Sequence, residues 1–255
     1  MKVSDFVTTF LLSKGVLKCF SVTGGFAMHL NDSLGEVLDV TYTHGEQPAG
    51  YAALGWSSYE HVPSVCCVTS GCGATNAMTP CLIAYQDSVP VFFISGQVHH
   101  KDNIRSHGGK IRGYFGSDCD IVESVKTITK YAVELTDPSE TLNVLEKCYH
   151  NLTTGRPGPV WLSIPVDVQS MRVPEMLTAY VAPKNTSLTS FPEEFVTMWS
   201  QSTRPIILAG NGIHLSRTKE AFLDFVGTHD LPYVVSYFGS DLGDAYIGKV
   251  GIIGN

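Results

Sequence analysis

The 255-residue chain lacks long runs of one charge sign, apolar stretches of membrane-spanning length, and cysteine pairs with metal-binding spacing. Its 17 lysines and arginines are scattered and are outnumbered by 24 aspartates and glutamates. The sequence therefore offers no basic surface for nucleic acid or for an anionic membrane. A membrane span would need about 20 consecutive apolar residues. We expect neither nucleic acid nor a membrane as a partner.

The seven cysteines form no C-x-x-C pair, and none lies at zinc-finger spacing from a histidine. Two of them lie within the apolar run Val65–Val68, where cysteine usually serves as a small core residue. An odd cysteine count in a chain of this size indicates a reducing compartment, and no signal-peptide pattern is visible at the N-terminus. We therefore expect a cytoplasmic protein.

Short β-rich apolar runs alternate with longer helical patterns along the chain. With 44% hydrophobic and 16% charged residues, the composition supports a continuous core. This alternation predicts an α/β fold, a parallel sheet flanked by helices. Ser4 is expected to cap a first helix, and one helix is expected over residues 74–85. The predicted strands cover residues 18–22, 40–43, 64–69, 90–95, 130–135 and 160–164.

We expect the first domain to cover residues 1–170. Residues 171–191 are rich in Pro, Ser and Thr and are predicted to be a linker. A second α/β pattern begins in residues 192–255, with a strand in residues 204–210 and another in residues 231–236. Roughly 65 residues are few for a self-sufficient α/β domain, so we expect this second domain to be incomplete.

Three glycine turns follow predicted strands: Gly24-Gly25, Gly71-Cys72-Gly73 and Gly210-Asn211-Gly212. Open α/β sheets bind ligands at such strand ends. None of the turns is a Walker loop or a dinucleotide fingerprint, which argues against a nicotinamide-dependent dehydrogenase. Taken alone, each is more typical of a tight structural turn. Glu46 begins a predicted helix, where the macrodipole alone would account for a carboxylate.

Four motifs appear in order and at matching spacing, and together they are specific. They are Val22-Thr23-Gly24-Gly25, the Glu46 helix, Thr69 to Asn76 followed by Asp87-Ser88-Val89-Pro90, and Gly155 to Trp161 leading into Ile164 to Gln169. The stretch from Phe20 to Gln169 resembles the N-terminal pyrimidine-binding domain of thiamine-diphosphate-dependent enzymes of the acetolactate synthase type. Residues 204–212 are similar to the opening of that family's central domain.

The resemblance implies a role for Glu46 as the catalytic carboxylate. In that family the matching glutamate hydrogen-bonds N1′ of the cofactor's aminopyrimidine and favours the 4′-imino form, which deprotonates thiazolium C2. The activated cofactor attacks a 2-keto acid and serves as the electron sink for decarboxylation or carboligation. Gly24, Gly25, Gly71 and Asn76 are implied as cofactor-binding residues. Family sites form between two subunits, so we expect a homodimer, with the small residues of the Ala49–Gly55 helix suited to close packing.

The sequence departs from the family at several positions. Cys72 stands where Pro is frequent, Pro80 where Gly is frequent, and Ser117 where relatives carry a Gln that reaches the reacting centre, which leaves the keto acid and the acceptor open. His99-His100 lies too early in its loop to match the paired histidines of keto-acid decarboxylases.

The family holds the diphosphate through a divalent metal on a Gly-Asp-Gly…Asn motif, and Gly243-Asp244-Ala245 is the nearest segment here. We therefore expect no metal ligand in this sequence and only a partial thiamine diphosphate site. Mg²⁺ would bind through a missing domain, fused or on a partner subunit, and the chain alone would be inactive. FAD is left open as a further cofactor of the central domain, although no residue of the sequence supports it. The alternative is a non-catalytic dimerisation or binding module derived from the family.

Overall fold

The computed structural model describes residues 1–113, 115–183, 190–243 and 248–253. The chain divides into two compact units, Met1–Ala182 and Pro183–Asn255. Asp244 and Ala245, from the segment nearest to a metal motif, lie outside the described residues, as does part of the predicted linker. Within the described ranges, no helix is both long and apolar enough to cross a membrane.

The first unit is built on a parallel sheet, which confirms the predicted fold class. Within the described residues it has six strands in the order β2-β1-β3-β4-β6-β5, and every pair is parallel. The strands are β1 (Lys18–Ser21), β2 (Asp39–Tyr42), β3 (Ser64–Val68), β4 (Val91–Gln97), β5 (Tyr131–Glu134) and β6 (Val160–Pro165).

Helices cover both faces of this sheet. They are α1 (Val3–Ser13), α2 (Met28–Val37), α3 (Glu46–Glu60), α4 (Cys72–Asn76), α5 (Met78–Asp87), α6 (Ile121–Val125), α7 (Thr141–Thr153) and α8 (Val166–Ser170). One core joins alternate strand residues to α1, α2 and α7, and the opposite core joins the remaining strand residues to α3, α5 and α6. Strand β3 shows the alternation, because Val65 belongs to the first core and Cys66 to the second.

The central strands are buried along their whole length because both their faces are covered. All residues of β3, β4 and β6 are buried. On the α3 side, the rings of Phe93 and Trp161 stack with centroids 5.1 Å apart. The Trp161 indole Nε1 donates to Ser95 Oγ at 3.0 Å, so the buried polar group of this large side chain is satisfied.

Two local predictions were wrong. Ser4 does not cap α1: the N-cap residue is Lys2, and Ser4 is buried inside the helix, where its Oγ accepts from Ser33 Oγ at 2.9 Å. The helix predicted over residues 74–85 is two helices, α4 and α5, separated at Ala77. The short helix α4 directly follows the turn after β3, and α5, which begins after Ala77, packs beside α3.

The second unit has a smaller parallel sheet. Within the described residues its strands are β7 (Ile207–Ala209), β8 (Tyr233–Val235) and β9 (Lys249–Ile252), in the order β7-β8-β9. Its helices are α9 (Glu193–Gln201), α10 (Gly212–Leu215) and α11 (Lys219–Thr228). Tyr233 and Val235 are fully buried in its core. The domain boundaries at residues 170 and 192 stay a prediction.

The turn that follows β1 is held by two contacts to its backbone. A Cβ built on Gly96 of β4 would lie 1.9 Å from the carbonyl oxygen of Phe26, so only glycine permits this approach. The same carbonyl accepts from Gln169 Nε2 at 2.8 Å, and Gln169 is fully buried. The Gly24–Ala27 turn is thus fixed against β4 and α8.

We expect Gly96→Ala to lower the free energy of unfolding by about 1–3 kcal/mol, because the added methyl group must displace backbone. Gly55 provides a matched control. It lies inside α3 with no atom within 4 Å of a built Cβ, so Gly55→Ala should stabilise by about 0.5–1 kcal/mol. Chemical denaturation of both variants tests this pair, and equal or reversed changes would contradict it.

Candidate functional site

Three loops meet where β1, β2 and β3 end, at what we term the carboxyl edge. The strand register places Ser21 opposite both Tyr42 and Cys67, so the three strands end at nearly the same level. The loops that follow carry Gly24, Glu46 and Gly71. Carboxyl ends of parallel strands are the usual position of ligand sites in such sheets.

Glu46 is the first residue of α3 and is half-buried. Its N-cap residue is Gly45, in extended conformation, and Thr43 Oγ1 donates to the Gly45 carbonyl at 2.8 Å. The Glu46 carboxylate thus lies at the positive end of a 15-residue helix, which favours its negative charge.

The direct partner of Glu46 comes from the loop after β3. Asn76 Nδ2 donates to Glu46 Oε2 at 3.1 Å. The other carboxylate oxygen, Oε1, lies 3.4 Å from the position that a Cβ on Gly73 would occupy. An amide that donates to one oxygen orients the carboxylate without neutralising it.

Gly24 and Gly71 occupy positions that admit no side chain. A Cβ on Gly24 would lie 2.4 Å from Cβ of Thr69. Gly71 has φ +59°, and a Cβ there would lie 2.5 Å from the carbonyl oxygen of Ser117. Gly25 has no atom within 4 Å of a built Cβ, so it faces open space beside the same turn.

The predicted residues are therefore brought together to different degrees. Glu46 and Asn76 are hydrogen-bonded, whereas Gly24 and Gly71 contact Thr69 and Ser117 respectively. For Gly25, the structure shows a position on the turn but no contact to Glu46. Whether these residues bind a cofactor stays a prediction.

Thr69 is the residue that sequence reasoning missed. Its side chain packs against the backbone of both glycine turns, since a Cβ on Gly73 would also lie 2.7 Å from its Cγ2. Its Oγ1 and the Oγ of Ser70 are buried and have no hydrogen-bond partner among the described residues. The signal was present in the sequence, because two hydroxyl residues directly precede a Gly-x-Gly turn.

Cysteine does not supply a reactive group to the buried side of this site. Burial raises the pKa of Cys66 well above its ordinary value, and the neighbouring Cys67, Cys81 and Glu46 raise it further. The Cys66 thiol therefore stays neutral and acts as a core residue beneath Glu46, as expected of the run Val65–Val68.

The loop between β4 and α6 covers both glycine turns. Ser117 lies against Gly71 through its backbone, and the ring of Phe115 meets Phe26 edge-on with centroids 5.9 Å apart. The Ser117 position, which the family resemblance singled out, therefore adjoins the site.

Comparison with known proteins identifies the family. Residues 1–124 match the family model described as thiamine pyrophosphate enzyme, N-terminal TPP binding domain. The acetolactate synthase large subunit of Lactococcus lactis is 30% identical over 247 residues, spanning 92% of this chain and 41% of that protein. The probable acetolactate synthase large subunit of Methanocaldococcus jannaschii is 29% identical over 255 residues, spanning 94% and 41%.

The chloroplastic acetolactate synthase of Arabidopsis thaliana is 30% identical over 228 residues, spanning 83% of this chain and 32% of that protein. The chain thus spans less than half the length of these relatives. The family expected from the four sequence motifs is confirmed. The chain belongs to the thiamine-diphosphate-dependent enzymes of the acetolactate synthase type, and its first unit carries their N-terminal cofactor-binding domain.

Proposed function

We propose that this chain is the N-terminal part of a 2-keto acid decarboxylase or carboligase, in which Glu46 holds N1′ of the aminopyrimidine of thiamine diphosphate. The observation that carries the proposal is the hydrogen bond from Asn76 Nδ2 to Glu46 Oε2 at 3.1 Å. It joins two of the four family motifs at the edge where α/β sheets bind ligands.

The residues present fit the pyrimidine end of this cofactor. The unpartnered hydroxyls of Thr69 and Ser70 are buried polar groups beside the site, and such groups usually find a partner. Gly73 leaves space beside Glu46 Oε1, and Gly25 leaves an open approach on the opposite turn. Together these features form a cradle of backbone and small side chains around one carboxylate.

The chain's own residues have separate tasks in this proposal. Glu46 holds and releases one proton at the pyrimidine nitrogen, which is general acid–base work. Asn76 keeps Oε2 occupied and so presents Oε1 to the ligand. Thr69 fixes the distance between the turns that carry Gly24 and Gly73. Bound thiamine diphosphate would supply the electron sink that decarboxylation of a 2-keto acid requires.

Mg²⁺ and the diphosphate would be held outside this chain, on a further domain, either fused or on a partner subunit. The support is that the matched relatives are more than twice as long as the part this chain spans. FAD binding has no supporting residue and is not part of this proposal. We place the protein in the cytoplasm, in keeping with seven cysteines that are all free. The alternative, a non-catalytic module, draws no support from the matched relatives.

The homodimer also belongs to this proposal, with a changed interface. Of the small residues that sequence reasoning assigned to subunit packing, Ala49, Gly50 and Ala53 are buried inside the chain, and a Cβ on Gly50 would lie 2.3 Å from Pro80 Cγ. We place the subunit interface on large apolar side chains that are exposed on α3 and α5. They are Tyr51, Trp56, Tyr59, Leu82 and Tyr85.

The isolated chain should show no turnover of pyruvate with thiamine diphosphate and magnesium. A charge-assisted hydrogen bond contributes about 1.5–3 kcal/mol, short of the roughly 8 kcal/mol that micromolar affinity requires. Calorimetry that detects micromolar cofactor binding to this chain alone would refute the partial site. Turnover on addition of the remaining domain would support the enzyme and exclude the non-catalytic module.

In the complete enzyme, Glu46→Gln should reduce turnover by about 100-fold or more, because glutamine keeps the shape but cannot share a proton. Glu60→Gln is the matched control: it changes the same functional group at the exposed last position of the same helix. Steady-state kinetics should show near-normal activity for Glu60→Gln. Comparable activity of the two variants would show that Glu46 does not act as proposed.

We expect Leu82→Asp to dissociate the homodimer, because it places a charge in the proposed apolar interface. Leu12→Asp changes a similarly exposed leucine on α1 and should leave the dimer intact, since their exposed fractions are 38% and 42%. Light scattering at several concentrations measures both. A monomeric parent chain, or equal dissociation by both variants, would count against this interface.

A further inference from the structure

Two cysteines with solvent-accessible surface lie at the carboxyl edge, and neither takes part in the chemistry proposed for Glu46. Cys72, the first residue of α4, is exposed, and Cys119, just before α6, is half-buried. The remaining cysteines are fully buried in the two cores of the first unit. They are Cys19, Cys66, Cys67, Cys81 and Cys148. A dissolved oxidant therefore reaches Cys72 and Cys119 before any other thiol of the chain.

The backbone segments that carry Cys72 and Cys119 are in contact. A Cβ built on Gly71 would lie 2.5 Å from the carbonyl oxygen of Ser117 and 3.0 Å from its Cα. Cys72 directly follows Gly71, and Cys119 lies two residues beyond Ser117. A disulfide joins α-carbons about 4.4–6.8 Å apart. Both cysteines thus lie one or two residues from a backbone contact that is as close as a disulfide requires.

The sheet sets the positions of both segments. Strand β3 pairs with β4, with Val68 opposite Ser95, and Cys72 lies shortly after the end of β3. Gln97 is the last residue of β4, and its Nε2 donates to the carbonyl oxygen of Cys119 at 2.7 Å. The two cysteines therefore lie over the ends of neighbouring strands, which in sheets are about 4.7–4.9 Å apart.

The loop between β4 and α6 is held near its start as well. Asn103 is fully buried, and its Nδ2 donates to Glu134 Oε1 at 2.9 Å. The second carboxylate oxygen, Oε2, is buried and has no hydrogen-bond partner within the described part of the chain. Between the two held ends lies Gly116, which has no atom within 4 Å of a built Cβ. The backbone next to Ser117 therefore has room to rotate while both ends of the loop stay in place.

The two thiols also interact electrostatically. Burial raises the pKa of the Cys119 thiol, and an ionised Cys72 is among the neighbours that raise it further. A hydrogen bond from Ser124 lowers this pKa by less, so the net shift is upward. Charges near the surface act over about 10 Å or less at ordinary salt. The influence of Cys72 on Cys119 therefore agrees with the short separation that the backbone contact requires.

We propose that Cys72 and Cys119 are a redox-sensitive pair, which hydrogen peroxide converts into a disulfide across the carboxyl edge. The exposed Cys72 thiolate attacks one peroxide oxygen, the O–O bond breaks, and Cys72 becomes a sulfenic acid as hydroxide leaves. The Cys119 thiolate then attacks the Cys72 sulfur, and the S–O bond breaks as the S–S bond forms. The departing hydroxide takes up a proton. Two thiols and one hydrogen peroxide thus give one disulfide and two water molecules.

The disulfide would join the turn after β3 to the residues beside Ser117. That turn leads into Asn76, which donates to Glu46 at 3.1 Å. The bond would therefore restrain the loops on the exposed side of the candidate site. Formation of the disulfide does not rest on the proposed function, and only its effect on catalysis does. In a reducing compartment, such a bond is transient and serves redox sensing.

The test treats the reduced 255-residue chain with hydrogen peroxide at low protein concentration. Remaining thiols are then alkylated under denaturing conditions, and the products are mapped by mass spectrometry. We expect a chain lighter by two hydrogens, two fewer alkylated thiols, and a cross-linked peptide that joins Cys72 to Cys119. Dithiothreitol should restore all seven free thiols.

Variants separate the two roles. Cys72→Ser should abolish the cross-link, whereas Cys119→Ser should leave Cys72 as a sulfenic acid that dimedone traps. Cys148→Ala changes a buried cysteine on α7 and should leave the cross-link unaffected. The proposal is overturned if the parent chain stays unoxidised, if its Cys72 sulfenic acid remains unpaired, or if the disulfide joins two copies or any other pair. These outcomes are read in the parent chain and so do not depend on a variant folding.

Discussion

The level at which β2, β1 and β3 end is the constraint on which the rest of the site depends. Because the strands are parallel and in register, the three following loops begin at one edge of the sheet. Hydrogen bonds within the sheet set that register, so the loops need little structure of their own to converge. The Glu46–Asn76 hydrogen bond then joins two segments that the strand register has already brought to the same edge of the sheet.

Thr69 fixes the distance between two of these converging loops, the turns that carry Gly24 and Gly73. A β-branched side chain has restricted rotamers, and this one is packed against backbone from both glycine turns. The turn after β1 is held from its other side as well, since the Phe26 carbonyl lies against Gly96 and accepts from Gln169. The loops of the carboxyl edge are therefore positioned by contacts to backbone. Such contacts tolerate little change in side-chain volume.

Much of the first unit followed from hydrophobic pattern alone, because strands buried on both faces and helices of several turns give strong signals. The six strands were predicted within a few residues of their observed bounds, and Glu46 was correctly placed at a helix start. Predictions from the hydrophobic pattern were wrong where tertiary contacts determine the local structure. Lys2 is the N-cap of α1, and Ser4 is buried inside the helix against Ser33. The α4–α5 break falls at Ala77, where the sequence has neither glycine nor proline.

Part of the candidate site could also be predicted from the sequence. Motif order indicated which loops matter, and position at strand ends indicated that they meet. Sequence could not reveal that Ala49, Gly50 and Ala53 of α3 face the chain's own core, because Gly50 meets Pro80 only after α3 and α5 are packed. Nor could it reveal Glu134, whose carboxylate is distinguished only by the loop folded over it. From residue type alone, an isolated glutamate on an edge strand would be expected to face solvent.

Glu46 and Glu134 are glutamates of the same unit whose surroundings differ. Glu46 begins a 15-residue helix and remains half-buried beside an open turn. Glu134 ends a strand, and burial raises its pKa. Residues of the loop between β4 and α6 contact both regions, since Asn103 donates to Glu134 and the backbone of Ser117 lies against Gly71, on the turn that leads to the Glu46 partner Asn76. A change in the charge of Glu134 would therefore act first on the Asn103 end of that loop.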